Sequence, residues 1–109
     1  MAQPYEFRGN AYRMLAELNA WTKQRQEAAL EPELPILDPH HHVWDDERGR
    51  YLIHELAEDV GTGHNIVATV FIEAGSMYRA GGPAAMKPVG EVEFVNGIAA
   101  MSASGRYGK

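Results

Sequence analysis

The succession of elements in this sequence predicts an α/β protein with a parallel sheet, and three observations carry that expectation. "NIVATVFIEAG", Asn65 to Gly75, is almost continuously apolar from Ile66 to Ile72. Such a run, without polar alternation, suits a parallel strand covered on both faces. "PILDPHH", Pro35 to His41, is a short apolar run entering polar residues, the pattern of a strand whose last residues emerge at a rim. Stretches with helical spacing stand before, between and after these two runs. The resulting order, helix, strand, helix, strand, helix, is a βαβα pattern behind an N-terminal helix and predicts right-handed crossovers.

Each element has its own justification. Residues 1–9 read as a loose tail. Asn10 is a candidate N-cap for a helix extension spanning 10–31, a stretch with many strong helix formers and no Gly or Pro before Pro32. Met14, Leu18, Trp21 and Ala28 fall on one face of it, with Leu15 beside them. Pro32 and Pro35 end it. "DDERGR" after the first strand reads as a turn-rich loop with solvated charges. "YLIHELAEDVGTG" predicts a short helix with Leu52, Leu56 and Val60 inward, closed by Gly61 and Gly63. "SMYRAGGPAAMK" is a loop broken by Gly-Gly-Pro. "PVGEVEFVNGIAAMSASG" predicts a last helix with Phe94, Val95, Ile98 and Met101 on a broad apolar arc and Gly105 as its cap.

Composition bounds the function classes. A chain of 109 residues holds one small domain, and 45% hydrophobic with 23% charged residues permits a core and argues against disorder. The net charge of −5, with no Lys/Arg cluster, gives little electrostatic reason to bind nucleic acid or an anionic membrane. The absence of Cys excludes a disulfide scaffold and a thiolate metal site. No apolar run approaches the ~20 residues of a membrane span, and the N-terminus lacks the apolar stretch of a signal peptide. The expected setting is the cytoplasm. One objection comes from physics. Two parallel strands make a poor sheet, and each leaves a bare apolar edge. Residues 35–109 therefore read as the first quarter to third of a larger α/β domain.

The candidate chemistry lies in "PILDPHHHVWDD". Strand side chains alternate faces, so an unbroken strand puts His40 and His42 on one face with Asp38 and turns His41 to the other. Two imidazoles on successive same-side positions converge within reach of one ion; neutral imidazole suits zinc, and manganese, iron or nickel when carboxylates complete the shell. A histidine-rich surface loop is the bland alternative, since two ligands do not fill a shell of about four. Glu73, at the end of the second strand, falls at the same rim, where it would ligate a metal, orient a ligand, bind substrate or serve as an ordinary rim carboxylate. Tyr78 and Arg79 follow in the next loop, where a guanidinium suits a substrate carboxylate and a solvated Arg is the plainer reading. Glu91 lies on the apolar arc of the last helix, in its first turn, where it complements the helix dipole. His54 and His64 carry no assigned role. "GTGHN" is not a phosphate loop, because its glycines precede a strand instead of following one.

At "ILDPHHHVWDD" the pattern Asp-x-His-x-His followed by an aromatic resembles the opening of the amidohydrolase-related family, metal-dependent hydrolases of TIM-barrel fold that include sugar and dicarboxylate lactonases. The likeness continues through "RYLIHELAEDVGTGHNIVATVFIEAGSMYRAGGPAAMKPVGEVEFVNGIAAMSASG" and covers about residues 35 to 108. The resemblance implies the N-terminal part of a (β/α)8 barrel, about two βα units, behind the helix extension. It makes His40 and His42 first-strand ligands of a divalent metal, zinc or manganese. It makes Glu73, with Tyr78 and Arg79 nearby, a contact to a small-molecule substrate. The implied reaction is hydrolysis of a lactone or related ester or amide. The family's other histidines and its catalytic aspartate come from later strands, so no catalytic residue is assigned here. The 109-residue chain is expected to be inactive, poorly stable and prone to self-association through its strand edges. The competing expectation is a non-catalytic segment that docks on a complementary chain or on itself.

Overall fold

A computed structural model describes Phe7, Gly9 and residues 12–108. Among them are three α-helices, α1 (Leu15–Thr22), α2 (Ile53–Val60) and α3 (Val89–Ala103), and four strands, β1 (Pro35–His41), β2 (Trp44–Asp46), β3 (Gly49–Tyr51) and β4 (Asn65–Phe71). The architecture is mixed α/β. β1 and β4 form a two-stranded parallel sheet, and β2 and β3 form a separate antiparallel pair. The proposed cap Asn10 lies outside the described residues, as does most of the 1–9 tail.

β1 and β4 form where the apolar runs predict them, and their pairing is uneven in an informative way. Ile36 pairs with Ile66 but Leu37 with Ala68, so Val67 is an extra residue on β4. Asp38 pairs with Thr69 and His41 with Phe71, so three steps on β1 match two on β4. The added residue falls at Pro39–His40. Proline cannot donate to a ladder, and a bulge is where a strand tolerates it.

The two helices after β1 cover one face of the pair. On that side Ile36, Asp38 and His41 of β1 and Ile66, Thr69 and Phe71 of β4 are partly buried. The other side stays bare, with Leu37 59% and Val67 61% exposed and Val70 and Ile72 also open. β4 is thus the parallel strand expected, but covered on one face only. The fully packed interior is small: Val43 and Ile53 are the buried apolar side chains among the described residues. A hollow of about 110 Å³ remains between α2, β4 and the C-terminal end of α3 with Tyr107 and Gly108 beyond it.

Two expectations need correction. The helix extension over 10–31 is cut to Leu15–Thr22, whose side chains include none that is buried. Short helices are marginal in water without a partner for their apolar face, and Trp21 stays 71% exposed. The stretch "DDERGR" is a hairpin, not a solvated loop. Trp44 pairs with Tyr51 and their rings stack at 4.8 Å, which holds the two short strands together. Gly49, at φ 106°, supplies the positive φ that closes a tight turn after Glu47–Arg48.

α2 begins where the Glu55 carboxylate accepts the Leu52 N–H at 2.8 Å, and Ile53, 5% exposed, is its buried residue, facing β4 across that hollow. Leu56 and Val60 are half-buried beside it, as the spacing predicts. Phe94, Val95, Ile98 and Met101 likewise form the half-buried side of α3.

Candidate functional site

The bulge at Pro39–His40 decides how the three histidines divide. His41 turns to the covered side and meets Phe71 edge to face at 5.8 Å. Burial lowers its pKa, partly offset by the nearby Asp38 carboxylate, and its Nδ1 is buried with no hydrogen-bond partner among the described residues. His40 and His42 stay on the open side. Their Nε2 atoms lie 3.0 Å apart, with the rings at 86°. Asp38 does not join them, contrary to simple strand parity. The extra residue shifts it to the side of Ile36 and His41, where its Oδ1 accepts the His40 N–H at 3.1 Å.

A second contact fixes the chemistry of His42. Its Nδ1 lies 2.7 Å from the carbonyl oxygen of Ile72. A carbonyl only accepts, so Nδ1 carries the proton and the Nε2 of the neutral ring presents a lone pair. This is the carbonyl support that metal-ligating histidines use to hold tautomer and ring orientation. His40 Nε2 can donate to that lone pair, or in its other tautomer present a second one. Two such nitrogens 3.0 Å apart are both within reach of a single ion at the usual ~2.1 Å ligand distance. The donor set therefore fits a divalent metal as one half of a shell. Among the described residues no group of three or more His, Cys, Asp or Glu comes together to complete it.

The other three candidates separate into two groups. Glu73 follows Ile72, whose carbonyl holds His42, and accepts a hydrogen bond from the Tyr78 hydroxyl. That bond to a carboxylate pushes the phenol up to about 12, so Tyr78 keeps its proton through the physiological range. Arg79 is drawn elsewhere, pairing with Glu93 on α3 at the surface. The structure thus brings together His40 with His42 and Glu73 with Tyr78, and it ties Arg79 to a different element.

Glu91 does more than complement the helix dipole. Its side chain is 2% exposed, and its carboxylate accepts three successive backbone N–H groups: Ala74 at 2.8 Å, Gly75 at 3.1 Å and Ser76 at 3.2 Å. Ser76 also donates its hydroxyl to the Val43 carbonyl at 2.9 Å. The loop passes so close to α3 that a Cβ on Gly90 would lie 2.3 Å from the Met77 carbonyl oxygen. The signal was present in the sequence as an acid on the apolar arc beside a glycine, preceded by "EAGS".

Comparison with protein-family models, with curated proteins and with solved structures returned no match for this chain.

Proposed function

We propose that this chain is the N-terminal part of a metal-dependent hydrolase of (β/α)8 type, acting on a lactone or a related ester or amide. The observation that supports it best is the His40–His42 pair, with the His42 Nδ1–H held by the Ile72 carbonyl and both Nε2 atoms converging. In this reading His40 and His42 hold a divalent ion, zinc or manganese. The chemistry such an ion supplies is Lewis acidity, acidifying a water and polarising the scissile carbonyl. Glu73 accepts from a substrate hydroxyl, oriented by Tyr78. Arg79 would have to leave Glu93, an exposed pair of the kind worth no more than about 1 kcal/mol, to reach a substrate carboxylate. The remaining ligands and the general base are assigned to later strands of the barrel, and a chain without cysteine suits a reducing cytoplasm.

Two imidazoles without further ligands should bind zinc weakly and turn nothing over. Isothermal titration of the 109-residue protein with zinc or manganese is expected to show one weak site that His40→Ala and His42→Ala each abolish. Lactone hydrolysis is expected to stay at background with either metal added. Robust turnover lost in His42→Ala would overturn the inactivity, and unchanged zinc binding in both variants would overturn the ligand assignment.

A second reading, a non-catalytic segment that self-associates, is favoured by the bare apolar side of the sheet at Leu37, Val67 and Val70.

A further inference from the structure

The imidazole pair is held by a chain of contacts that reaches an acid on another element. The segment His41–Val43 is gripped at both ends by the residues after β4. On one side Ile72 donates its N–H to the His41 carbonyl at 2.9 Å and accepts the His42 Nδ1–H at 2.7 Å. On the other side the Ser76 hydroxyl donates to the Val43 carbonyl at 2.9 Å. The intervening stretch, Glu73-Ala74-Gly75, forms no helix or strand, and its side-chain tie, from the Tyr78 hydroxyl to Glu73, stays within the loop. What fixes it is Glu91. Its two buried carboxylate oxygens gather the N–H groups of Ala74, Gly75 and Ser76. Three charge-assisted bonds to one buried carboxylate make a rigid anchor. That anchor stands in the first turn of α3, which is itself held against the loop by the close approach at Gly90.

We infer that Glu91 is the positioning residue of the imidazole pair, holding the 72–76 loop so that the Ile72 carbonyl and the Ser76 hydroxyl keep His42 in one tautomer and one orientation. It touches neither imidazole and acts through Ile72, Ser76 and Val43. The inference deepens the reading of His40 and His42 as metal ligands, but its first test needs no metal.

That test is long-range proton–nitrogen correlation NMR on the 109-residue protein at a pH of about 8.5, where free imidazole is neutral. The His42 ring signals are assigned with His42→Ala. In the wild type His42 is expected as a single Nδ1–H tautomer. Glu91→Gln keeps the size of the side chain but sets an NH₂ against N–H donors, and Ser76→Ala cuts only the link to Val43. Both are expected to convert His42 to a mixture of tautomers, while Glu93→Gln, on the exposed side of α3, leaves it single. A single Nδ1–H tautomer in a folded Glu91→Gln protein overturns the inference. Should Glu91→Gln lose its circular dichroism, Ser76→Ala decides alone, and an unchanged tautomer there overturns it equally. Zinc titration is the second readout: both variants are expected to bind about tenfold more weakly, the usual effect of losing a supporting contact. If the wild type binds no zinc, the ligand reading fails while the tautomer result still stands for or against Glu91.

Discussion

At the scale of single residues, the two carboxylates near the rim behave in opposite ways because water reaches one and not the other. Glu91 is closed off and satisfies three donors at once. Glu91→Ala leaves those N–H groups without an acceptor, at a cost of about 2 kcal/mol. Since every 1.4 kcal/mol is tenfold, the expected result is a rise of about 30-fold in amide exchange at Ala74, Gly75 and Ser76. Unchanged protection at all three would show that the loop holds itself. Glu73 lies open and accepts the hydrogen bond of the Tyr78 hydroxyl. The folded phenol titrates near 12, whereas an unfolded tyrosine titrates near ~10, so the folded chain holds this proton more tightly. The stability linked to it is complete below pH ~10 and is lost as pH rises from there towards 12. Absorbance titration of the phenolate, with Tyr78→Phe as the difference reference, is expected to show the Tyr78 midpoint falling towards ~10 in Glu73→Gln. A midpoint that does not move would place the cause of the shift elsewhere than in Glu73.

At the scale of elements, the contrast lies between helices that have a sheet to pack on and one that does not. Ile53 pins α2, and Ile53→Ala is expected to cost about 2–4 kcal/mol, read as loss of amide protection along Leu56–Val60. Trp21 on α1 touches no core, so Trp21→Ala is expected to change the protection of α2 and β4 by less than about 0.5 kcal/mol. The same contrast explains what could be read from the sequence. β1, β4, α2 and α3 were legible because each carries an apolar run or arc that a partner element covers. α1 is shorter than the helix formers over 10–31 predict, because Trp21 and Leu18, which would pack on a larger partner, stay exposed. The β2–β3 hairpin was hidden by its charges, Asp45 to Arg50; the signal was the flanking Trp44 and Tyr51, with a glycine at the turn. The His40–His42 pair was legible from spacing, but the position of Asp38 held only for an unbroken strand. Strand parity ignores a bulge, and the bulge exists only through the register with β4, 30 residues away. Pro39 inside the strand was the local warning.

At the scale of the whole molecule, the chain has too much surface for its length. Its radius of gyration is 16.9 Å, against roughly 13 Å for a compact domain of this size. A two-stranded sheet with one face bare is marginal by itself, and the open edges of β1 and β4 present unpaired backbone groups to any other chain. The net charge of −5 opposes close approach only weakly at physiological salt, where screening acts within about 8 Å. Apolar contact at Leu37, Val67 and Val70 should therefore win as concentration rises. The expected behaviour is a broad thermal transition by circular dichroism and a weight-average mass that climbs with concentration in sedimentation equilibrium. Leu37→Lys with Val70→Lys puts like charges on the bare side, at two residues that do not line the hollow beneath α2. That double variant is expected to return the mass to that of one chain while keeping the far-ultraviolet spectrum of the wild type. A sharp, concentration-independent melt of a monomeric wild type would mean that two strands and the small core at Val43 and Ile53 suffice, and the reading of this chain as part of a larger sheet would lose its physical ground.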